Sequence, residues 1–205
     1  MRNILVPHKI LKVKMRNKCR VTKTKIYKIV VLGDGGVGKT SLVNTIVEKQ
    51  INVSLTPGLS VETKVLDLGE EGRAKFVFWD MGGQPQFRFF QEDFIGKAHV
   101  ALLVFDVSRY SSLLKLEAEW IPMLEKQNLL GKSTLILVGN KIDLHPSFDP
   151  EETRELAQKY SMKTFFVSAV TGQNVDELFN ELKALLSKDK ITEYITFEKY
   201  GDEHQ

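Results

Sequence analysis

From Ile26 onward, short unbroken apolar runs alternate with stretches in which apolar residues recur at helical spacing. The runs predict strands at about 26–32, 60–68, 74–80, 99–106, 134–139 and 163–168. Val100–Asp106 (VALLVFD) and Thr134–Asn140 (TLILVGN) are apolar for most of their length, as strands covered on both faces are. Helices are predicted at about 38–50, 86–95, 112–128, 150–160 and 174–187. The last presents Val175, Leu178, Phe179, Leu182, Leu185 and Leu186 as one stripe, and Leu116, Trp120 and Leu124 share a core face of the third. One short turn signal, Gly69–Gly72, joins Val61–Leu68 to Ala74–Asp80 and predicts a hairpin. The pattern is α/β: a six-stranded, mostly parallel sheet with helices on both faces and one antiparallel hairpin. Ligands bind such sheets beyond the carboxyl ends of the strands.

The candidate chemistry falls at those ends. Gly33-Asp34-Gly35-Gly36-Val37-Gly38-Lys39-Thr40 follows the strand Ile26–Leu32 and opens a helix that continues through Ser41. The backbone amides of such a turn converge with the positive end of the helix dipole on a site of phosphate size. Lys39 can reach terminal phosphates and the Thr40 hydroxyl can ligate Mg²⁺. Asp80 ends the strand Phe76–Trp79 and can hold Mg²⁺. Gly83 can offer an amide to a γ-phosphate and Gln84 can orient a water. Alone, this second segment reads equally as an ordinary turn. Asn140-Lys141-Ile142-Asp143 follows a buried strand. A carboxylate at Asp143 can accept two hydrogen bonds from guanine, a donor pair that adenine lacks, and the Lys141 stem can lie on the purine face. Read alone, Asn140 or Asp143 could instead cap a helix. Ser168-Ala169-Val170 ends the last strand and offers amides to a guanine carbonyl.

Charge adds a division of the chain. Residues 1–28 hold ten Lys or Arg and no acid, leaving 19 basic against 26 acidic residues in the remainder, a net −7. The expected organisation is a basic arm over 1–24, a globular domain over 25–187 and a mixed-charge tail over 188–205. The arm can lie on an anionic membrane, touch nucleic acid, or remain solvated. Arg2 stands where an N-myristoyl acceptor glycine would, and Glu203-His204-Gln205 offers no prenylation cysteine. With one cysteine, no internal disulfide forms, and a cytoplasmic protein is expected, with peripheral membrane contact through the arm one of those alternatives. No apolar stretch reaches the roughly 18 residues of a membrane span.

The four motifs in this order resemble the small GTPases of the Ras superfamily over about residues 25–187. Thr56-Pro-Gly-Leu-Ser-Val-Glu-Thr63 and WDMGGQ look Arf-like, whereas ALLVFDVS and LVGNKIDL look like Rab and Ras, as in a divergent member. The resemblance implies a P-loop NTPase small G domain that binds GTP and GDP with Mg²⁺. It implies slow intrinsic GTP hydrolysis dependent on a GTPase-activating protein, an exchange factor and effectors, and a monomer acting in trafficking or signalling. It assigns Thr56 as a switch ligand of Mg²⁺ ahead of Thr45 and Thr63, Lys39 and Gln84 to catalysis, and Gly35 to a loop position where side chains impair hydrolysis. No arginine lies between Thr40 and Val61, and Arg88 is a candidate in the second switch. Pro85 restricts Gln84 away from helical φ/ψ. A GTPase acting on RNA or the ribosome through the arm, and a nucleotide-binding scaffold without turnover, are the competing classes.

Overall fold

The computed structural model describes residues 2–6, 9–13, 19–50, 58–69, 72–82, 94–147, 150–185 and 193–199. A two-stranded antiparallel sheet, β1 (Arg2–Val6) and β2 (Lys9–Val13), precedes the main sheet. The main sheet begins with β3 (Cys19–Leu32), which leads through the glycine turn into α1 (Lys39–Ile46). β4 (Leu59–Asp67) and β5 (Arg73–Met81) form the expected hairpin. Then follow β6 (Val100–Asp106), α2 (Tyr110–Lys115), α3 (Ile121–Lys126), β7 (Thr134–Asn140), α4 (Pro150–Lys159), β8 (Lys163–Val167), α5 (Val175–Ala184) and β9 (Glu193–Lys199).

The order across the sheet is β4-β5-β3-β6-β7-β8, parallel throughout except at the β4–β5 hairpin. These are the six predicted strands. Strand alternation sends Ile29 and Val31 of β3, and Val100, Leu102 and Val104 of β6, into one core against α1 and α5. Val30 and Leu32, with Ala101, Leu103 and Phe105, enter a second core beneath α2, α3 and α4. Both faces are covered, which explains why β6 is buried at every position.

Two features depart from the expectations. The helix predicted over 112–128 is not one regular α-helix: between α2 and α3 the chain widens into a π turn over Leu116–Trp120. Pro122 provides the reason. It has no N–H, and its ring would press on the carbonyl four residues back; a wider turn relieves both. Leu116, Trp120 and Leu124 are still fully buried, as the core stripe requires.

The second departure concerns the ends of the chain. β3 starts at Cys19, so the expected division between arm and domain after residue 24 falls inside a strand. β9, from the expected tail, pairs antiparallel with Cys19–Lys25 as a seventh strand. Thr24 and Lys25 pair with both β5 and β9, so β9 lies on the side of β3 that β6 occupies further along. No described helix is long and apolar enough to cross a membrane.

Candidate nucleotide site

The carboxyl ends of β3, β5, β7 and β8 bring the phosphate loop, Asp80, the Asn140–Asp143 segment and Ser168–Val170 to one end of the sheet. The loop turns on backbone that side chains oppose. Gly38 caps α1 with φ +92°, and a Cβ there would stand 2.3 Å from Asn140 Nδ2. The missing side chain lets the phosphate loop and the Asn140 segment touch. Asn140 Nδ2 donates to the Val37 carbonyl at 2.9 Å, and Lys141 Nζ donates to the Gly36 carbonyl at 2.8 Å.

Lys39 is 5% exposed and donates to the carbonyls of Gly33 and Asp34, both at 2.8 Å. Burial pushes its ammonium down to about 8, against the pull of Asp80 and Asp34, while the positive charge of Arg109 lowers it further. A polyanion at this point would restore the charge. The Thr40 hydroxyl donates to Asp80 Oδ2, and Asp80 is 1% exposed. A hydroxyl and a buried carboxylate in contact make a hard oxygen pair that fits Mg²⁺, which takes one or two protein oxygens together with phosphates. Thr56, Gly83 and Gln84, like Pro85 and Arg88, lie outside the described residues. The segments holding them are flanked by Gly58 and Gly82, whose carbonyl and amide are hydrogen-bonded at 2.6 Å. Thr45 and Thr63, the rivals of Thr56, are committed elsewhere. Thr45 Oγ1 donates to the carbonyls of Ser41 and Ala169, and Thr63 pairs with Val77 inside the hairpin.

At the base end, no helix begins at Asn140 or Asp143, so the capping alternative falls away. Asn140 Oδ1 accepts the Ala169 amide at 3.0 Å and so couples β7 to the Ser168–Val170 turn. Ser168 Oγ donates to Asp143 Oδ1 at 2.6 Å and orients an otherwise exposed carboxylate. Val170 is 66% exposed at the mouth.

Three residues here carry no prediction. Asp106, at the end of β6, holds Lys141 Nζ at 2.6 Å. Burial alone would raise its carboxyl. Hydrogen bonds from Lys141 and from the Ser108 side chain and amide, with the Lys141 charge, outweigh that and hold it below the usual carboxylate range. Arg109 Nη2 donates to the Gly35 carbonyl at 2.7 Å, and Lys115 Nζ pairs with Asp34 at 3.0 Å. Asp34 is also lowered: burial raises it, but the Lys115 hydrogen bond, the Gly35 amide and the charges of Lys115 and Arg109 prevail. One signal pointed this way. β6 ends in ALLVFDVS, the one parallel strand end that carries no expected site residue.

Comparison with known proteins agrees with this geometry. The family model described as Ras family matches residues 28–188. The chain belongs to the Ras family. Ras-related protein Rab-17 of Mus musculus is 36% identical over 158 residues, 76% of this chain and 73% of the relative. Ras-related protein Rab-1 of Theileria parva is 30% identical over 172 residues, 82% and 77% of the two chains. Ras-related protein Rab-27B of Bos taurus is 31% identical over 176 residues, 80% of each. These relatives lie on the side of the resemblance carried by ALLVFDVS and LVGNKIDL. This Ras-family chain is accordingly a GTP-binding small G protein with the α/β fold expected of one.

Proposed function

We propose that the chain is a molecular switch that binds GTP with Mg²⁺ and hydrolyses it to GDP, regulating a trafficking or signalling step through effectors that recognise the GTP form. One observation carries this reading. The phosphate loop and the base segment are fastened to each other through Asn140–Val37 and Lys141–Gly36, so one nucleotide can be read at both ends at once. Thr40, Asp80 and Thr56 would hold Mg²⁺, which neutralises phosphate charge when bound. Lys39 stabilises the charge that develops as water attacks the γ-phosphorus in line, Gln84 orients that water, and GDP and phosphate leave. Loss of the γ-phosphate contacts then releases the Thr56 and Gly83–Gln84 segments. Asp143 and an amide of the Ser168–Val170 turn select guanine.

Intrinsic turnover is expected on the order of 10⁻⁴–10⁻² s⁻¹, with a GTPase-activating protein required for speed. Gln84→Leu should lower single-turnover hydrolysis while leaving GTP binding intact. Hydrolysis unchanged with and without an activating protein would take the water-positioning role from Gln84.

The basic arm supports a second contact, with an anionic membrane surface. Six of its eight positive charges lie within residues 1–18, ahead of β3. Each Lys or Arg near such a surface contributes about 1 kcal/mol, fading within a Debye length. The full chain should sediment with phosphatidylserine vesicles at low salt and lose this in high salt or on deletion of 1–18, a cut that spares β3. Equal recovery of the full-length and shortened chains would remove the membrane contact.

A further inference from the structure

Six successive carbonyls of the phosphate loop each accept a hydrogen bond. Lys39 Nζ serves Gly33 and Asp34, Arg109 Nη2 serves Gly35, Lys141 Nζ serves Gly36, Asn140 Nδ2 serves Val37, and the Leu42 amide serves Gly38 at 2.9 Å. A trans peptide is planar, with its C=O and N–H pointing opposite ways. Fastening a carbonyl therefore also fixes which way the following amide points, and amides that converge on one point hold an anion there. Every donor but Arg109 belongs to α1 or to the Asn140–Asp143 segment. Arg109 comes from beyond the end of β6, 74 positions away from Gly35.

The peptide that Arg109 holds is the one most in need of it. It joins Gly35 to Gly36, neither of which has a side chain to restrain rotation, and Gly36 sits at φ +74°. Arg109 is itself fixed in place. Its amide donates to the Asp106 carbonyl at 2.9 Å, and its carbonyl accepts the Ser112 hydroxyl at 2.6 Å and the Ser112 amide at 2.9 Å. Its guanidinium also lies 3.5 Å from Asp34 Oδ2, an oxygen that Lys115 Nζ holds at 3.0 Å. The Gly36 position bears directly on the guanidinium, since a Cβ there would stand 4.0 Å from Arg109 Nη1.

We propose that Arg109 is a positioning residue that locks the Gly35–Gly36 peptide, keeps the Gly36 amide turned toward the phosphates, and so slows nucleotide release. The proposal rests on the guanine-nucleotide reading above, and the experiment separates the two. The full chain is loaded with fluorescent GDP, and dissociation is followed for the unaltered protein and for R109A, R109K and R109Q, alongside the Gly36 amide resonance in the GDP form. Failure of the unaltered chain to retain GDP would refute the nucleotide reading itself. With GDP retained, loss of one charge-assisted hydrogen bond should speed release from R109A about tenfold. The Gly36 resonance should move, R109K should recover most of the slow release, and the preference for GDP over XDP should stay unchanged. Release from R109A within about twofold of the unaltered chain would overturn the proposal. Faster release with an unmoved Gly36 amide would overturn it too, because the arginine would then act elsewhere. Should R109A fail to fold, R109Q decides by the same two readings: it retains a shorter neutral donor and loses the charge.

Discussion

Lys39→Ala is expected to leave a folded chain that no longer retains nucleotide through a desalting column. The ammonium is almost fully buried between the carbonyls of Gly33 and Asp34, and its environment lowers its affinity for the proton. Such a group is costly to keep charged unless an anion shares the site. Phosphate oxygens are that anion. Each charge-assisted hydrogen bond they would make to Lys39 contributes about 1.5–3 kcal/mol, so losing two weakens binding by on the order of 10²–10⁴-fold. Alanine also leaves the Gly33 and Asp34 carbonyls without their donor, which loosens the start of the loop. Titration calorimetry with GDP measures the effect. Lys49→Ala, at an exposed surface lysine, serves as the control. Binding within tenfold of the unaltered chain would place Lys39 outside the phosphate site.

Asp143→Asn should exchange guanine for xanthine. Ser168 Oγ donates to Asp143 Oδ1 and can donate equally to an asparagine Oδ1. That bond would turn the new amide nitrogen toward the base. There it faces the N1–H and exocyclic amine of guanine, donor against donor, whereas xanthine presents a carbonyl in place of the amine. Losing two hydrogen bonds to a charged acceptor should weaken GTP by on the order of 10²–10⁴-fold, while XTP binding strengthens. Competition of GTP, XTP and ATP for fluorescent GDP measures the change. Unchanged preference for GTP would sink the assignment of Asp143.

The parts of this site that could be read from sequence are those whose chemistry is local. Gly33–Thr40 has its meaning in the spacing of one turn between one strand and one helix, and Asn140–Asp143 in the end of one apolar run. The buried strands β6 and β7 are equally plain, because burial on both faces leaves almost no polar residue to confuse the pattern. Arg109 was invisible, since its partner is a backbone carbonyl that only the finished sheet brings within reach. The π turn was marked by Pro122, yet helical spacing on either side of it masked the interruption. β3 before Ile26 is not legible in the sequence because Arg20–Lys25 holds a single apolar residue, Val21, among basic and small polar ones and so shows no apolar face. Its pairing with β9 joins segments at opposite ends of the chain, and nothing within either names the other.

That pairing has a practical consequence. In β3 the nucleotide loop follows Leu32, while the paired stretch occupies the strand's beginning; at about 3.3 Å per residue, Lys25 and Leu32 are separated by roughly 23 Å. The Cys19–Lys25 and Glu193–Lys199 segments are therefore paired at the end of β3 away from the nucleotide loop. Cys19, the one cysteine, stands in register with Lys199. A thiol-reactive dye at Cys19 becomes a reporter of whether the carboxyl-terminal strand is zipped or peeled away, read out at a distance from bound guanine.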